Sequence, residues 1–104
     1  MNTQIINRRK RSPTHPGALL REDILPTLGI SQAALAEKIG VSRQTIAEVM
    51  AEKRSMSIDL AYRLGTLFEM DATTFIRMQE AVDVWETLEA NQKDYEKIKP
   101  LVTK

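Results

Sequence analysis

Arg43 and Gln44, with Thr45 and Glu48 beside them, carry side chains suited to the edges of bases and to phosphate oxygens. A glutamine amide pairs bidentately with adenine, an arginine guanidinium pairs with guanine or a phosphate, and a hydroxyl can donate to either. Ala47 leaves space for a thymine methyl. Glu48 has three openings: it can accept from cytosine, contact Gln44 one helical turn back, or repel nearby phosphates. Lys53 and Arg54 follow where phosphates would flank a groove. The competing reading is an ordinary solvated helix face, and composition alone leaves it open.

These side chains can act together only from one face of a helix braced by another. Ser31 to Met50 holds two short helix patterns, each opened by a serine and joined at Gly40. Ser31 and Ser42 can accept from the unpaired N–H groups that begin each helix. Leu35, Ala36, Ile39, Val41, Ile46 and Val49 occupy the positions that two crossing helices must bury. Ala36 is small enough for a steep crossing, and Gly40 can take a positive φ without a Cβ clash. At about 100° per residue, Ile46, Val49 and Met50 face inward, while Gln44, Ala47, Glu48 and Ala51 face outward. This is the pattern of a helix-turn-helix, whose second helix enters the DNA major groove.

The flanks predict three more helices. His15-Pro16-Gly17 opens the first, with proline at a position whose N–H would be unpaired anyway. His15 is the chain's one histidine, weak evidence for metal or acid–base chemistry, and local capping suits it better. Leu20, Ile24 and Leu28 recur every fourth residue, with Leu19 and Leu25 widening the stripe. Pro26 disfavours helical geometry at Leu25, so an end or kink is expected there, with Gly29 as the stop. Ser57 caps a fourth helix built on Leu60, Ala61, Leu64, Leu67 and Phe68. Asp71 caps a fifth, whose seam Phe75, Met78, Val82 and Trp85 is the candidate contact between two copies. Core packing is its alternative, with Phe75 and Met78 inside while Val82 and Trp85 reach the partner. The helix turns strongly charged from Glu86, and Pro100 ends regular structure. The expected layout is a flexible basic arm (1–14), a helical domain (15–92) and a charged tail (93–104).

Composition narrows the function classes. At 104 residues the chain suits one domain with a single modest core, and 42% hydrophobic residues argue against wholesale disorder. Four glycines, four prolines and few β-branched runs favour an all-α fold. With one histidine, no cysteine and no glycine-rich loop, the chain lacks a nucleophile–base pair, a metal cluster and a phosphate cradle. No enzyme, metal or cofactor is expected. No apolar run is long enough for a membrane span and no signal peptide is evident, so a cytoplasmic protein is expected. Arg8, Arg9, Lys10 and Arg11 give the first fifteen residues four positive charges and no acid. Of the chain's 15 basic residues that leaves 11 against 14 acidic ones, a formal −3 for residues 16–104. Attraction to phosphates must therefore come from a local patch or from the arm.

Ser31 to Met50 resembles the helix-turn-helix of Xre-type, λ-repressor-like proteins in its early glutamine, Ala36, Gly40, Ile46 and Val49. A narrower resemblance, from His15 to Trp85, is to the HigA branch of antitoxins. It rests on His15-Pro16-Gly17, Leu20-Arg21-Glu22-Asp23, Leu28-Gly29-Ile30-Ser31-Gln32, Gly40-Val41-Ser42-Arg43-Gln44-Thr45, Ala61-Tyr62-Arg63-Leu64, and Phe75 through Met78-Gln79. The resemblance implies a five-helix domain that dimerises, binds an operator in its own promoter and neutralises a HigB toxin, a small RelE-like ribonuclease that cuts messenger RNA. It places DNA contacts at Gln32, Ser42, Arg43, Gln44, Thr45 and Glu48. Ala51-Glu52 stands where many relatives have Asn-Gly, and Ile76 where relatives often have tryptophan. Two other readings remain: a free-standing Xre-type repressor with no toxin, and an interaction module that has lost DNA binding, for which Glu48, Glu52 and the −3 body speak.

Overall fold

Five helices form among residues 11–102, the residues described by a computed structural model, and no strand accompanies them. The basic arm lies outside the described residues except for its last four.

The first helix, α1, joins three segments: α-helical Pro16–Leu19, a π-helical turn Leu20–Ile24, and α-helical Leu25–Leu28. His15 caps it, its Nδ1 accepting from the Gly17 N–H at 2.9 Å. The helix does not end at Leu25; the interruption expected there takes the form of the π-helical turn Leu20–Ile24. Leu25 is helical (φ −67°, ψ −44°), and the helix runs on to Gly29, which stops it at φ 67°. The π turn explains this. Pro26 has no N–H and would crowd the carbonyl four residues back, and the widened turn, with the Leu25 N–H on the Leu20 carbonyl, accommodates it. The extra residue also shifts the buried face. Leu25 rather than Ile24 comes beneath Leu20, and Leu28 is left 59% exposed.

The remaining helices are α2 (Gln32–Ile39), α3 (Arg43–Met50), α4 (Ile58–Phe68) and α5 (Ala72–Glu96). Each begins on the residue expected to cap it: Ser31, Ser42, Ser57 and Asp71 accept from Ala34, Thr45, Leu60 and Thr73 N–H groups. Gly40 ends α2 at φ 74°, and Arg63 from α4 donates to the Ile39 carbonyl at 2.8 Å.

Leu20, Leu35, Ile46, Val49, Leu64 and Phe75 are fully buried where the helices meet. Each such side chain contributes about 1.5–3 kcal/mol of burial. α1 approaches α3 so closely that a Cβ on Gly17 would lie 1.8 Å from the Val49 carbonyl oxygen. Phe75 is 0% exposed and Val82 6%, both within their own chain. Neither has surface to give a second copy, whereas Met78 and Trp85 of the same expected seam are half-buried.

α5 sets the shape. Its 25 residues span about 37 Å at 1.5 Å each. The radius of gyration is 17.2 Å, against about 13 Å for a compact domain of this size, and the extents are 56 × 23 × 23 Å. The helix continues to Glu96, so the boundary expected at 92 falls inside it.

Candidate nucleic-acid interface

α3 presents the outer face that its spacing predicts: Ile46, Val49 and Met50 are buried, while Arg43, Gln44 and Ala47 are exposed. Its C-terminal end is closed by two backbone bonds, Glu52 N–H to the Val49 carbonyl at 3.0 Å and Lys53 N–H to the Glu48 carbonyl at 2.9 Å. This closure needs a left-handed residue after the helix, and Glu52 supplies it at φ 62°. Arg21, from α1, braces the strained residue. Its Nη1 donates to the Met50 carbonyl at 2.6 Å, and its Nη2 lies 2.6 Å from Glu22 and 3.2 Å from Glu52. The Glu52 charge is thereby drawn towards α1.

The N-terminal end is held by the Ser42 hydroxyl, which accepts from the Thr45 N–H at 3.0 Å and lies 2.8 Å from Thr45 Oγ1. Arg54 folds back over this turn, donating to Thr45 Oγ1 at 3.0 Å and pairing with Glu48 Oε1 at 3.3 Å. The other Glu48 oxygen accepts from Gln44 Nε2 at 3.0 Å. Glu48 thus makes the expected contact with Gln44, one helical turn back, and adds one with Arg54. Ser42, Gln44, Thr45, Glu48 and Arg54 thus form one hydrogen-bonded cluster. Arg43 and Lys53 flank it, both exposed. Gln32 sits apart from the cluster, exposed at the first position of α2.

The connection after α3 is pinned by buried Gln79, which no sequence period singles out. Its Oε1 accepts from the Met56 N–H at 2.8 Å, and its Nε2 donates to Asp83 Oδ1 at 2.9 Å. Arg21 was missed as well. The signal available was indirect: the last carbonyls of α3 need partners, but the group that answers for Met50 lies 29 residues away.

A helix-turn-helix family model matches residues 20–75, more than half of the chain. Virulence-associated protein I of Dichelobacter nodosus is 41% identical over 70 residues, 67% of this chain, and the match spans 65% of that relative. Antitoxin HigA-1 of Vibrio cholerae is 32% identical over 99 residues, 92% of this chain and 90% of its own length. Among solved structures, the antitoxin HigA of Pseudomonas aeruginosa with the higBA promoter superposes with a TM-score of 0.81 at 36% identity, covering 86% of this chain and 99% of that one. The chain therefore belongs to the helix-turn-helix family and, within it, to the HigA-type antitoxins.

Proposed function

We propose that this protein is an antitoxin and autorepressor: it binds its own promoter as a dimer and neutralises an mRNA-cleaving toxin of the HigB, RelE-like kind in the cytoplasm. It acts by binding and not by catalysis. The observation that carries the reading is the outer face of α3, where base-reading and phosphate-holding side chains stand on a helix fixed at both ends. The Pseudomonas relative was solved with its promoter, which supports the same use here. Arg43 and Gln44 read base edges in the major groove, and Gln32, Ser42, Thr45, Lys53 and Arg54 hold phosphates. Ser42 and Thr45 suit that role: two hydroxyls sharing one mutual bond leave one hydroxyl proton to donate outward.

Dimerisation falls to the projecting part of α5. Met78, Ala81, Trp85, Leu88 and Tyr95 lie on spacings of three, four and seven, the repeat of a helix-pairing seam. All five lie on the extended helix and are half-buried or exposed, so a second copy can cover them. Two copies would set their α3 helices roughly 34 Å apart, one DNA turn, on a near-palindromic operator.

Co-expression with whatever small protein is encoded next to it tests the antitoxin half. The neighbour is expected to copurify with this chain and to stop cleaving messenger RNA when the chain is present. If nothing copurifies and cleavage is unaffected, the antitoxin reading fails and the free-standing repressor takes its place.

A further inference from the structure

We propose that Glu48 is a positioning residue that sets base specificity through Gln44 and does not read a base itself. The inference deepens the reading that α3 enters a major groove and rests on it.

Both carboxylate oxygens are engaged on the protein: Oε2 by Gln44 Nε2 at 3.0 Å, and Oε1 by Arg54 Nη1 at 3.3 Å. An ionised carboxylate only accepts, so it selects the NH2 side of the Gln44 amide and fixes which way that amide points. One Nε2 hydrogen is used by Glu48. The second hydrogen and Oε1 remain, the pair that adenine N7 and N6 require. An amide without this anchor can turn over and present donor and acceptor in the wrong order. Arg54 is anchored in turn by Glu48 and by Thr45 Oγ1 at 3.0 Å, which leads back to the Ser42 cap. The amide that reads a base and the guanidinium beside the groove are therefore joined through one carboxylate. That carboxylate also places a negative charge among the phosphate-seeking groups, which lowers the hold on DNA of any sequence. Glu48 thus raises discrimination while weakening nonspecific binding.

Selection from a randomised duplex library, using the full chain, tests this with the wild type, Glu48→Ala, Glu48→Gln, Gln44→Ala and the Gln44→Ala/Glu48→Ala pair. The wild type is expected to enrich a motif with an adenine that Gln44→Ala no longer prefers. Glu48→Ala should reduce that preference by about fivefold and bind unselected duplex roughly threefold more tightly. The double variant should lose no more adenine preference than Gln44→Ala alone, the sign of residues acting as one unit. Glu48→Gln offers a donor as well as an acceptor, so it no longer selects one side of the Gln44 amide; it should lose adenine preference much as Glu48→Ala does, while also binding unselected duplex more tightly. Thermal midpoints near that of the wild type would show that all variants fold. If both Glu48 variants instead lose a cytosine preference while the adenine persists, Glu48 reads a base and the proposal is overturned. Unchanged motifs and affinities in the Glu48 variants overturn it too. A folded wild type that enriches no motif overturns the DNA reading itself, a separate and recognisable failure.

Discussion

Glu52 and Glu69 both sit just past a helix end in the left-handed conformation, at φ 62° and 56°. A non-glycine residue there costs about 1–2 kcal/mol, part of which glycine returns through its freer unfolded chain. Glu69→Gly is therefore expected to stabilise the fold by about 0.5–1 kcal/mol, raising the thermal midpoint by a few degrees. Glu52→Gly should gain less, because it also removes the ion pair with Arg21. Calorimetry of both variants checks the order. Gly17 is the opposite case. A Cβ would meet the Val49 carbonyl at 1.8 Å, backbone against backbone, so Gly17→Ala should cost about 3 kcal/mol by urea unfolding. At this scale the caps were legible in the sequence, because Ser31, Ser42, Ser57 and Asp71 act on residues two or three positions away. Arg21 and Gln79 were not, because they satisfy backbone groups 29 and 23 residues distant, and only the folded arrangement brings those together.

At the scale of elements, α2, α3 and α4 follow the 3.6-residue period, and their buried faces could be read directly. α1 departs from it. Its π turn inserts a residue, so the regular stripe Leu20-Ile24-Leu28 gives way to Leu20 and Leu25. A period search cannot see such a turn, and Pro26 signalled an interruption without giving its form. The start of α5 carries a pH dependence. The Thr73 backbone N–H, then the Thr73 hydroxyl, then the more distant Arg77 hold the Asp71 carboxyl below its ordinary value. A carboxylate whose folded pKa is depressed adds stability that is present in full above the unfolded pKa and is lost as pH falls through the folded one. Asp71→Asn keeps a capping oxygen but has no proton to gain. Its thermal midpoint is expected to stay near the wild-type value at pH 7 and to fall less steeply in acid, below the ordinary aspartate range. Parallel acid-side slopes for the two proteins would remove the cap from the account.

The described residues form a small helical body with a long helix running out of it, 56 Å in its longest extent. That projection was only half visible beforehand. The apolar spacing of α5 marked a seam, but the sequence could not tell residues spent on the chain's own core from those left for another. Phe75 and Val82 turn out to be spent, and Trp85 remains. Trp85→Glu is expected to shift the sedimenting species from dimer to monomer while leaving helix content unchanged. It should also weaken promoter binding by at least about tenfold, since each α3 then holds one half-site alone. The long helix and the cluster around Glu48 both serve one proposed act, the reading of operator DNA by α3. Its most direct test is a mobility-shift titration on the chain's own promoter between about 50 and 200 mM salt, with Arg43→Ala and Gln44→Ala alongside. Specific binding should fall steeply as salt rises, with losses of about 1–3 kcal/mol in the two variants confined to particular base pairs. Binding that is flat with salt, indifferent to sequence and unchanged in both variants would contradict it.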